Sequence, residues 1–179
     1  MFMLLKTAGY LDSLMILKQS FRNHISNALY MIVTMLIFMT WVLYHYEFSY
    51  LQLQGIAIVF FLFCSPAVYL HIEYFFYNMG QEFEINNLGI TRKEKGHTQK
   101  FKYNEIQEAV IYLSASKYQG SKFQLLPMES YHYIQLSMNN GEKVILTSLL
   151  NADLERVLTG NIKVPYRKVK KVFCSIDPI

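Results

Sequence analysis

Four side chains carry most of the chemistry that this sequence brings toward one point. Arg22 and His24 precede one long apolar run, and His71 and Glu73 follow a second. If the two runs fold back on each other, these four side chains meet at the same depth. Two imidazoles and a carboxylate could ligate a metal ion, or Arg22 could pair with Glu73. The simpler reading is that four amphipathic side chains anchor a hairpin at headgroup level. The sequence favours that reading, and no metal is expected. His45 lies at the opposite end of the runs, and His97 and His132 stand alone in turn or strand positions.

Other catalytic patterns do not occur in the sequence. It holds no HExxH, no Gly-x-Ser-x-Gly, no glycine-rich phosphate loop and no Cys-x-x-Cys. Cys64 falls within an apolar run and Cys174 near the C-terminal end, an unpaired arrangement that suits a reducing compartment. The expectation is a protein that is not an enzyme, with no cofactor and no small-molecule substrate.

Charge offers contact surfaces instead. Arg92, Lys93, Lys95, Lys100 and Lys102 cluster around one turn, although Glu94 sits among them. Residues 1–80 and 81–160 are each balanced, so the net charge of +4 comes from 161–179. There Lys163, Arg167, Lys168, Lys170 and Lys171 face only Asp177. Near an anionic leaflet each such cation contributes about 1 kcal/mol. These ten residues are candidate contacts for lipid or for an acidic partner, and a solvated tail is the plain alternative. Nucleic acid is disfavoured because the tail has few aromatics and no reading motif. An apolar candidate is Phe123, Leu125, Leu126 and Met128, which either insert into a partner or complete a small core.

The elements that position these residues begin with the two apolar runs. The chain has 179 residues, 53% hydrophobic, and only 17% are charged, below the roughly 25% usual in soluble domains. Between Ile25 and Tyr77 the only Asp, Glu, Lys or Arg residues are Glu47 and Glu73. Spans over about 25–45 and 51–74 reach the roughly 30 Å hydrocarbon core, and the short link between them forces an antiparallel hairpin. Lys6, Lys18 and Arg22 precede it, Arg92, Lys93 and Lys95 follow it, and the link has no basic residue. The positive-inside bias therefore puts both termini in the cytoplasm. Trp41, Tyr44, Tyr46 and Tyr50 would form the outer aromatic belt, and Tyr69, Tyr74, Phe75, Phe76 and Tyr77 the inner one. Pro66 should kink the second helix, its freed carbonyl met by Ser65 or a neighbouring helix. Residues 1–24 read as an interfacial or packing helix, because Leu11, Leu14, Met15, Leu17 and Phe21 share one helical face.

Beyond Gly80 the pattern alternates. Phe83 and Ile85, then Ala109, Ile111 and Leu113, then Ile134, Leu136 and Met138 mark half-buried strands. Asn139-Asn140-Gly141 reads as a hairpin turn into Val144-Ile145-Leu146. Asn151 to Leu158 reads as a helix stopped by Gly160. The fold class expected is an α+β membrane protein. It has a two-helix transmembrane hairpin over 25–80, an antiparallel β-barrel or sandwich over 81–160 capped by one C-terminal helix, and a basic tail over 161–179.

This layout resembles the bacterial PH-like membrane proteins, including the YcxB-like group. The local resemblances are Asn87-Leu88-Gly89-Ile90, Tyr103-Asn104-Glu105-Ile106, Leu149-Leu150-Asn151-Ala152-Asp153-Leu154 and the opening Tyr10-Leu11-Asp12. The resemblance implies a PH-like split barrel facing the cytoplasm of the inner membrane, in a family with no agreed catalytic activity. PH domains elsewhere often grip phosphoinositides beside the first hairpin, but here that turn, 86–89, has no positive charge. The expected function is a non-catalytic accessory or scaffolding protein whose partners are membrane lipids and a larger membrane protein or further copies of itself. The alternative is a sensor of anionic lipid that uses the 92–102 hairpin and the basic tail.

Overall fold

The computed structural model describes residues 14–44, 49–121, 124, 126–161 and 164–177. The order is β1 (Met15–Lys18), α1 (Phe21–Tyr44), α2 (Tyr50–Tyr77), β2 (Gln81–Asn86), β3 (Gly89–Glu94), β4 (His97–Lys102), β5 (Ile106–Leu113), a short α3 (Ala115–Tyr118), β6 (Tyr133–Met138), β7 (Lys143–Thr147), α4 (Leu154–Asn161) and β8 (Tyr166–Lys170). Two 3-10 turns, Tyr103–Glu105 and Pro127–Ser130, complete it.

The strands form two four-stranded sheets, ordered β1-β2-β3-β4 and β7-β6-β5-β8. The first is antiparallel throughout, and its register sets Leu17 opposite Phe83, and Ile85 opposite Ile90, which in turn faces Phe101. These five side chains are buried against Ile111, Ile134, Leu136, Val144 and Leu146 of the second sheet, with Leu154 and Leu158 of α4 closing the core. Full burial of one such side chain stabilises by about 1.5–3 kcal/mol. Gly89 is required where β3 starts, since a Cβ there would lie 2.1 Å from the Phe101 carbonyl oxygen. Lys95 and Gly96 both have positive φ, 47° and 85°, the backbone of a two-residue hairpin turn.

The architecture corrects several expectations. The sheets pack as a sandwich and do not close into a barrel. Residues 15–18 of the expected N-terminal helix form strand β1, and residues 1–13 lie outside the described residues. The β domain does not begin at residue 81, because β1 precedes the helices; the hairpin is an insertion between the first two strands. Residues 166–170 of the expected tail form β8, paired parallel with β5, so the second sheet is mixed.

Both long helices are long and apolar enough to cross a membrane. The α2 helix runs through Pro66 without a break. Ser65 Oγ donates to Leu62 O at 3.4 Å, and that is the carbonyl which proline, lacking an N–H, leaves unpaired. At the start of α2, Gln52 Oε1 accepts from the Ser49 amide at 2.9 Å.

Candidate functional site: the junction of hairpin and sandwich

The C-terminal end of α2 and its cap carry Ala67, Leu70, His71, Tyr74 and Asn78 at intervals of three and four residues, which places them on one helical face. Ala67, Leu70 and Tyr74 are buried against Tyr131, Tyr133, Ile145 and Leu149 of the second sheet and its flanks, with Cys174 in the same cluster. Strands β6 and β7 of the second sheet are therefore covered on both faces, while β8 at its other edge is largely exposed. Tyr74 is fully buried here and is not part of an inner aromatic belt, while Tyr69 and Phe76 face outward. Its hydroxyl donates to Cys174 O at 2.6 Å.

Three asparagines and a glutamine tie the hairpin down. Asn78 Nδ2 donates to Ile145 O at 3.1 Å, and its Oδ1 accepts from the Thr147 amide at 3.0 Å. The side chain thus supplies the donor and acceptor that a neighbouring strand would offer to the edge strand β7. Asn27 Nδ2 donates to Ser148 O at 2.9 Å, and Asn23 Nδ2 to Leu150 O at 2.7 Å. Gln19 Nε2 donates to Phe75 O at 3.0 Å, bridging the inner ends of the two helices.

Beside these ties, His24 Nδ1 and His71 Nε2 lie 3.1 Å apart, and His71 Nδ1 lies 2.9 Å from the Tyr131 hydroxyl. The facing imidazole nitrogens are within hydrogen-bonding distance, and burial raises the Tyr131 hydroxyl above the usual tyrosine range. The structure brings His24 and His71 together as the hairpin geometry required, but it separates Glu73 and Arg22 from them. Glu73 accepts from Ser175 Oγ at 2.9 Å and from the Ile176 amide at 3.2 Å, so it makes no pair with Arg22, which is exposed. Among the described residues, no group of three or more His, Cys, Asp or Glu could hold a metal ion.

Near the same face, Tyr112 and Tyr133 stack with centroids 4.5 Å apart, and Lys171 Nζ lies over both rings. Burial pushes the Cys174 thiol up to about 12. His132 is held neutral, down to about 3, by burial and then by the charge of Lys117.

The basic candidates are scattered and partnered. Arg92 pairs with Glu142 at 3.5 Å, Arg167 with Glu108 at 2.7 Å, Lys171 with Asp177 at 2.6 Å, Lys168 with Glu155, and Lys93 with Glu84. Arg92 is on the inner side of its sheet with Ile90, whereas Lys93, Lys100 and Lys102 face outward. Lys95, Lys100, Lys102 and Lys170 are exposed and make no ion pair among the described residues. Of the apolar candidates, Met128 packs against the junction cluster and Leu126 is half-buried. Phe123, Leu125 and Lys163 lie outside the described residues.

The asparagines, Gln19 and Tyr131 were missed in the sequence. The available signal was the Asn23, Asn27 spacing of four at the mouth of an apolar helix, where unpaired amides are costly.

A two-sheet sandwich closed by a helix, with an apolar helical hairpin inserted after its first strand and bound to its second sheet, defines an α+β binding module. The model of the PH domain family matches residues 17–155, from β1 into α4 with the hairpin inside, and the chain belongs to that family. No curated protein matches it. Among solved structures, one described as the structure of the Spt16D Pob3N heterodimer is similar at 11% identity and a TM-score of 0.35. The match covers 54% of this chain and spans about half, 50%, of that one.

Proposed function

We propose that this chain is a non-catalytic adaptor of the bacterial inner membrane, akin to the YcxB-like group. In this reading the hairpin crosses the bilayer, both termini are cytoplasmic, and the PH domain binds a protein partner in a membrane complex. The observation that carries the choice of protein over lipid is the distribution of cations. Half of the ten candidate basic residues are paired with carboxylates of the domain itself. Of the described ones that remain, Lys95, Lys100 and Lys102 lie on the first sheet and its turn and Lys170 on the second, so they do not converge on one pocket that would hold a phosphate. The first sheet supports the same reading: its outward face mixes Glu82, Glu84, Lys93, Lys100 and Lys102, and β4 ends its sheet order. A strand ending a sheet can accept an added strand from a partner.

The test uses the full chain purified in mild detergent, with co-purifying protein and lipid measured by native mass spectrometry. A stoichiometric protein partner is expected, lost when Lys100→Glu and Lys102→Glu reverse the outward charge. A lone chain carrying only anionic lipid would overturn this reading in favour of lipid sensing.

A further inference from the structure

The hairpin is shorter, where it is free of the sandwich, than the bilayer it would cross. Among the described residues, Met31 on α1 and Ala67 on α2 are the outermost in the junction cluster, with Cys64 buried one turn further out. Residues 31–44 and 50–64 rise only about 20–22 Å, against roughly 30 Å for the hydrocarbon core. Any tilt shortens the reach further. Trp41, Tyr44 and Tyr50 are exposed at the tip, where aromatic rings mark the outer interface. With the tip there, the inner boundary falls about twenty residues along each helix, near Tyr69 on α2 and Ile25 on α1. Arg22 and the His24, His71 pair then lie at the inner headgroups. The rim of the sandwich extends past that boundary into the bilayer.

Two segments form that rim. The Pro127–Ser130 turn contacts both helices, and Met128 and Met31 both pack against the cluster that holds Ala67. On the other side of α2, the Phe173 ring lies 5.7 Å from Tyr69. Its neighbour Val172 is 75% exposed and directly follows Lys170 and Lys171. Lys171 is held by Asp177 and Ser175 O, but an exposed aliphatic side chain two residues from the exposed Lys170, which can extend toward phosphates, fits the boundary between acyl chains and headgroups.

We propose that the Leu126–Met128 turn and Val172–Phe173 form a second membrane contact, embedded in the inner leaflet of the bilayer that the hairpin crosses. The ligand is the phospholipid surface itself. The contact fixes the second sheet against the membrane and leaves the first sheet facing away from it. This rests on the transmembrane reading of the hairpin, and the test separates the two.

The experiment places a tryptophan at Val172 in a Trp41→Phe background of the full chain. Vesicles of phosphatidylcholine and phosphatidylglycerol carry bromine high on the acyl chains. Two references accompany it: native Trp41 at the hairpin tip, and Leu88→Trp in the same background, at an 83% exposed turn of the first sheet. Quenching at position 172 is expected to be severalfold stronger than at 88. Quenching at 172 no stronger than at 88, with Trp41 quenched, overturns the rim contact and leaves the hairpin reading standing. An unquenched Trp41 overturns both. A blue-shifted but unquenched signal at 172 means that protein covers the rim, and also overturns the proposal.

Discussion

The two sheets are built from the same number of strands yet treat their outer faces in opposite ways. In the first, Phe83 and Ile85 point into the core while Glu82, Glu84 and Asn86 point out, and nothing in the described structure covers that face. In the second, Val144 and Leu146 point into the same core while Ile145 points the other way, under α2. Its edge strand β7 is closed by the Asn78 amide, whereas β4 ends the first sheet with its own charged residues. One sheet is thus packed against the hairpin, and the other keeps an uncovered outward face. In the proposed reading, anchoring and presentation belong to separate sheets of one core.

The strongest way to break that contrast is Asn78→Ala. It strands a donor and an acceptor of β7 in a buried setting, at a cost of about 3 kcal/mol. Urea unfolding of the full chain in detergent should show it, and a loss no larger than that of a surface substitution would mean that the edge is not sealed by this residue. Acid should act on the same region. The pKa of His132 is held at about 3 by burial and Lys117, while in the unfolded chain it titrates near 6.5. The folded value is the lower, so the unfolded state binds the extra proton. The contribution is therefore fully present above pH 6.5 and is lost as pH falls toward 3. About 2 kcal/mol should disappear between pH 7 and pH 5, and unfolding midpoints of His132→Gln should vary less over that window than those of the native chain.

Smaller changes sharpen the contrast. Tyr74→Phe removes the hydrogen bond to Cys174 O and should cost about 1 kcal/mol. Faster amide hydrogen exchange over 171–177 would show that the segment is held to α2 through this hydroxyl. Lys100→Glu, on the outward face of the first sheet, should change stability by no more than about 0.5 kcal/mol. A larger loss in the same unfolding assay would reveal that this face has a structural duty.

Sequence alone marks the strands of both sheets as half-buried, so the contrast comes from the structure, although its physical basis is in the residue pattern. Gln81–Asn86 alternates because one face is wet, and Val144-Ile145-Leu146 is continuously apolar because both faces are dry. The helix lengths, the Asn139-Asn140-Gly141 turn and the meeting of His24 with His71 followed from spacing alone. Other features were hidden. Met15–Lys18 carries apolar residues that fit a helical face equally well, and it is a strand because Leu17 finds Phe83. Tyr166–Lys170 looked like a solvated basic run, yet Ala109 to Leu113 pair with it, and Glu108 and Glu155 take up two of its charges.

The residue pattern by itself determined what is periodic and local: two helices long enough for a bilayer, alternating strands with a buried face, and turns at glycine and asparagine. Only the tertiary structure decided that the hairpin is inserted after a strand, that Glu73 turns to the C-terminal segment, and that Asn78 completes a sheet edge. A short edge strand or a single amide has little preference of its own. It acquires its role from partners distant in sequence, and only the folded register brings those partners within hydrogen-bonding distance.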